Sequence, residues 1–142
     1  MKLEFLLDNL YLQQNKPKKL KQMKLIKHVP AALLAFLFLF GGLTFFFHFI
    51  EEPAMTGKPL DFMKLFGGTG YMTVIKVLEV IGGLLIIFPA QRAKAILILG
   101  PIAVNILLFE IYIAGAVGVG AVLVLLVLIQ AYFDQAKFKA LL

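Results

Sequence analysis

The sequence predicts an all-α fold: an integral membrane four-helix bundle whose four transmembrane helices leave both termini in the cytoplasm. Three observations carry this reading. Of the 142 residues, 61% are hydrophobic, and the mean hydropathy is +0.94, whereas soluble domains run nearer half apolar. The apolar residues gather into four runs of about the length that crosses a hydrocarbon core. The segments between those runs alternate between basic and non-basic, as the positive-inside rule requires of four spans with N-in and C-in ends. The expected organisation is a basic cytoplasmic segment over 1–28, a four-span domain over 29–133 and a short cytoplasmic tail over 134–142.

The opening stretch, MKLEFLLDNLYLQQ, places Leu3, Leu6, Leu7, Leu10 and Tyr11 on one helical face. Two readings stand for it, an interfacial helix and a frayed terminus. Asn15, Lys16 and Pro17 are expected to break any helix there. Lys16, Lys18, Lys19, Lys21, Lys24 and Lys27 follow, and the formal charge of the chain is +6. Beside an apolar run, such a cluster reads as a topology signal and a contact for anionic lipid headgroups rather than for nucleic acid. No cleavable signal peptide is expected; the first span serves as the insertion signal.

That span is expected over about 30–50, AALLAFLFLFGGLTFFFHFI preceded by Pro30. Twenty residues rising 1.5 Å each give roughly 30 Å. Residues 51–70 mix charge, proline and glycine and read as a loop, with DFMKLF forming a short surface helix. The second span runs from about 71 to 88 and stops at Pro89; the short basic connection AQRAK leads into the third, about 95–114. Pro101 kinks that third span unless a neighbour satisfies the carbonyl it frees. GAVGVG is an uncharged turn, or the start of a fourth span over about 117–132. Short connections make sequential helices antiparallel neighbours.

Composition excludes several chemistries. There is no cysteine and no serine, and the only histidines are His28 and His48. Disulfide exchange, thiolate-bound metal and serine nucleophiles are therefore ruled out, and no metal site is expected. Gly67-Gly68-Thr69-Gly70 lacks the lysine and the strand–loop–helix context of a phosphate loop.

Lipid cannot solvate polar side chains, so those within spans are functional candidates. Lys76 and Glu79 lie three apart on one helix, where their side chains can meet. The pair reads either as a structural ion pair or as part of a polar pocket. Asn105, near mid-membrane, needs a hydrogen-bond partner, and Glu79 is the attractive one. His48, Lys76 and Glu110 fall at similar depth toward the outer side, with Glu79 and Asn105 deeper. That order describes an outward polar vestibule. Gly41 and Gly42 on the first span, and Gly82 and Gly83 on the second, are small residues that let helices approach. The dense phenylalanines of the first span read as lipid-facing and packing residues.

FLFLFGGLTFFFHF, KVLEVIGGLLIIFP and LILGPIAVNILLFEIYIAG together resemble the DoxX-like family of small bacterial membrane proteins, over about 31–142. The resemblance implies four spans and places Glu79, Gly82, Gly83, Pro101 and Asn105 at the family's characteristic positions. Two positions depart from it: Thr44-Phe45 stand where relatives often carry Asn-Lys, and Glu110 where they often carry His. The resemblance implies a multi-pass protein of the bacterial cytoplasmic (inner) membrane, not catalytic on its own. Its expected role is a membrane subunit or scaffold, with quinone as the ligand class of a redox complex. Two alternatives stand beside it: a quinone-reactive subunit using Glu79, and a small-solute or proton carrier using the vestibule. The expected partners are the lipid bilayer, a membrane or redox protein and, as a homo-oligomer, further copies of the chain.

Overall fold

In the computed structural model, which describes all 142 residues, the chain is helical with no strand. Seven α-helices follow in order: α1 Lys2–Ile26, α2 Val29–Phe47, α3 Lys58–Gly67, α4 Tyr71–Leu85, α5 Arg92–Phe109, α6 Val119–Phe133 and α7 Gln135–Leu141. A 3-10 turn, Pro89–Gln91, leads into α5, and a π turn, Glu110–Ala114, ends it. Helix α2 packs on α4 and α6, and α5 packs on the same two from the other side.

Each packed helix buries one stripe. On α2 the stripe is Ala31, Leu34, Ala35, Phe38 and Gly42, the three-and-four spacing of one helical face. It meets Ile86, Leu99, Ile102, Leu123 and Val127 in a single core. The opposite faces are also apolar: Phe36 and Phe40 on α2, Val77 and Ile81 on α4, and Leu125 and Leu128 on α6 stand exposed. Helices apolar all round need a non-aqueous surrounding. Two helical stretches, Lys2–Phe47 and Pro89–Ala114, are long and apolar enough to cross a membrane. The number rises to four when α3 with α4, bent by 85°, and α6 with α7, bent by 75°, are each taken as one span.

Glycines decide how near the helices come. A Cβ on Gly82 would stand 2.5 Å from Leu99 Cδ2, one on Gly83 2.9 Å from Leu39 Cγ, and one on Gly42 2.7 Å from Val80 Cγ2. The closest backbone approach is at Gly120, where a Cβ would lie 2.7 Å from the Cα of Leu107. That α5–α6 contact is absent from the sequence expectation, which placed residues 115–120 in a turn or at a helix start.

The break expected at residues 15–17 does not occur. Helix α1 runs through Pro17 to Ile26. Proline removes one N–H, but α1 is exposed along almost its whole length, so the carbonyl of Gln13 stays open to its surroundings. Helix α2 also ends sooner than the span expected over about 30–50. His48 takes a left-handed conformation (φ 52°) and its N–H caps the carbonyl of Thr44 at 2.8 Å.

Candidate functional site

A cavity of about 250 Å³ opens between α2, α4 and α5 beneath α3. Three helical faces build it by the same spacing. Helix α4 contributes Met72, Ile75, Lys76 and Glu79; α5 contributes Ile102, Asn105, Ile106 and Phe109; α2 contributes Gly41, Thr44 and Phe45. Residues three, four and seven apart share one side of a helix, so each set faces the same space.

Glu79 is 3% exposed. Its two oxygens accept hydrogen bonds from Lys76 Nζ at 3.0 and 2.9 Å. The Lys76 side chain is 22% exposed and lines the cavity. Gly41 backs the carboxylate: a Cβ there would stand 3.7 Å from Glu79 Oε2. Thr44 Oγ1 is buried and has no hydrogen-bond partner. Asn105 borders the same cavity but is an exposed residue and does not bond Glu79, whose oxygens accept from Lys76. An ion pair, an unpartnered hydroxyl and a carboxamide thus converge on a space whose remaining walls are mainly apolar.

Helix α3 roofs this space because an aromatic cluster holds it there. Phe62 stacks near Phe66 (4.5 Å between ring centres) and Phe109 (4.9 Å), and Phe66 meets Tyr71 at 5.0 Å. Phe62 and Met63 line the cavity from above, and Glu52, from the loop before α3, stands among its lining residues.

Of the five polar candidates, the structure brings Lys76, Glu79 and Asn105 together and leaves two elsewhere. His48 is exposed at the end of α2, outside the cavity. Glu110 turns toward α6, where its carboxylate accepts the N–H groups of Gly118 and Gly120, each at 2.9 Å. These donors flank the start of α6, where backbone N–H groups lack helical partners and a carboxylate is favoured. Pro101 is exposed on α5. Lys16, Lys18, Lys19 and Lys21 are exposed on α1, while Lys24 and Lys27 border a second cavity at the far end of the molecule.

Sequence reasoning did not single out Thr44, Glu52, Phe62 or Tyr71 as site residues. Thr44 had a signal: it is the one hydroxyl in the first apolar run, three residues from Gly41 and on its face. The others reach the cavity only because the chain bends back between α3 and α4. Compared with protein families, characterised proteins and solved structures, the chain has no match.

Proposed function

We propose that this chain is a DoxX-like, four-span protein of the bacterial cytoplasmic membrane, with both termini inside, and that it serves as a non-catalytic membrane subunit of a quinone-linked redox complex. In this reading the cavity under α3 holds the headgroup of a quinone. The observation that carries it is the set of unused donors in an apolar enclosure. A lysine ammonium has three N–H donors, and Lys76 directs bonds at the two oxygens of Glu79. That leaves one for a ligand. Thr44 Oγ1 is a second donor without a partner, and the Asn105 carboxamide is a third. Quinone carbonyls are acceptors only, and the flat ring suits walls of Phe45, Ile75, Ile106 and Phe109.

Size supports a headgroup rather than a whole long-chain molecule. Ligand pockets generally run from roughly 300 to 1,000 Å³, and this one lies just below that range. The isoprenoid tail would remain in lipid. Engagement of both Glu79 oxygens favours binding over a proton-accepting role. The apolar core of Leu34, Phe38, Ile86 and Leu99 beyond the pair argues against a proton or solute path through the bundle.

The test is purification in mild detergent, with mass spectrometry of everything retained and titration with a short-chain quinone. The wild type is expected to hold one quinone per chain. Thr44→Val, which removes one donor, is expected to weaken binding roughly five- to tenfold, and Glu79→Gln to weaken it further by releasing Lys76 from the position that the ion pair fixes. A retained protein partner without quinone, unchanged by either substitution, would leave a scaffold whose Lys76–Glu79 pair is structural only.

A further inference from the structure

A second cavity, of about 310 Å³, lies at the opposite end of the helices. The α1–α2 junction brings Lys24, Lys27 and His28 to it, the start of α5 brings Arg92, and the α6–α7 bend brings Asp134 and Lys137. These residues span more than a hundred positions of sequence. Four of them are cations and one is a carboxylate.

That carboxylate is already committed. Asp134 Oδ2 accepts from Gln130 Nε2 at 2.6 Å, and Oδ1 pairs with Lys137 at 2.7 Å. Lys137 also donates to the carbonyl of Pro89 at 2.6 Å, which ties α7 to the turn before α5. Lys24, Lys27 and Arg92 have no carboxylate partner. Arg92 is only 5% exposed. Its Nε donates to the carbonyl of Ile86 at 3.0 Å, and this is its one side-chain hydrogen bond. The remaining guanidinium donors face a cavity lined by further cations. A buried guanidinium without a counter-ion is costly, and its planar fork matches phosphate oxygens.

We propose that this cavity is a binding site for a phosphate monoanion or dianion, with Arg92 as the fixed fork and Lys24 and Lys27 as the closing cations. Two sources share that chemistry: the headgroup of an anionic phospholipid and free phosphate. Basic pockets between helices at the cytoplasmic face suit lipid headgroups, and the cavity is large enough for one. The lipid source rests on the membrane placement proposed above; the anion chemistry does not.

The test uses the full chain, stripped of lipid in neutral detergent. It is titrated separately with short-chain phosphatidylglycerol, phosphatidylcholine and inorganic phosphate, with bound species counted by native mass spectrometry. Phosphatidylglycerol is expected to bind at one per chain, at least tenfold more tightly than phosphatidylcholine. Arg92→Gln should weaken it tenfold or more. Because Arg92 also anchors the Ile86 carbonyl, the double substitution Lys24→Gln with Lys27→Gln, both on exposed residues, provides the same test without touching a buried group. Binding of inorganic phosphate, weakened by the same substitutions, with no preference for the anionic lipid, would assign the site to a free anion. Binding of neither anion, or binding unchanged in both variants, overturns the proposal. A chain that stays in solution without detergent would refute the membrane placement and the lipid source, and the phosphate titration would then decide the site alone.

Discussion

Lys76 and Glu79 show how a buried charge becomes tolerable. Each would be expensive alone; as a pair with two hydrogen bonds near 3 Å, each serves as the other's solvent. Removing one partner leaves a buried charge without compensation, whereas replacing both by apolar groups can be nearly neutral. Lys76→Met is therefore expected to destabilise the protein by about 3 kcal/mol, near the lower end of such losses because the Lys76 side chain is partly exposed. The double variant Lys76→Met with Glu79→Leu should recover most of that loss. Unfolding in mixed micelles measures both, and strictly additive costs would refute the pairing argument. The pair itself was legible from three-residue spacing alone. The company it keeps was not: Glu110, a candidate for the same vestibule by depth, instead caps the entry to α6. Depth follows from residue number along a helix, but lateral position depends on how each helix is rotated.

Among the elements, helix contacts are set by a few glycines, and they are not equivalent. At Gly120 an added methyl would meet the backbone of Leu107, which cannot rotate away. Gly120→Ala is expected to cost about 1–3 kcal/mol of stability through overpacking. At Gly41 the nearest atom to an added methyl is a Glu79 oxygen at 3.7 Å, an ordinary contact. Gly41→Ala should be neutral to slightly stabilising, since alanine is favoured over glycine in helices by about 1 kcal/mol. Denaturation midpoints of the two variants compare them directly, and equal shifts would contradict the packing described. The glycine pairs at 41–42 and 82–83 stood out in the sequence because they interrupt long apolar runs. Gly120 did not, because it follows two other turn glycines, Gly115 and Gly118, among alternating valines, with no local sign of which one meets α5.

On the scale of the whole molecule, the two cavities sit at opposite ends of the helices, one beneath α3 and one beside the α1–α2 junction. Under the proposed topology the first lies toward the outer face and the second toward the cytoplasm. The chain has no cysteine, so single-cysteine variants report topology without background. Thr56→Cys is expected to react with a membrane-impermeant maleimide applied to intact spheroplasts. Gln14→Cys should react only after the membrane is opened. Labelling of both from the same side would show that α2 does not cross the bilayer.

The sequence by itself determined the helical class, the non-aqueous surroundings and the segregation of charge, because these follow from solvent transfer and from local periodicity. It also marked Lys76, Glu79 and Asn105, since a polar residue inside an apolar run needs no partner to be conspicuous. Only the tertiary structure decided that Thr44 joins them, that Glu110 and His48 do not, and that Arg92 meets lysines from the far end of the chain. The reason is rotational. A helix apolar on every side carries no pattern to say which face turns inward, so the choice passes to close contacts such as Gly120 on Leu107 and to the bends that return α3 and α7 across the ends of the bundle.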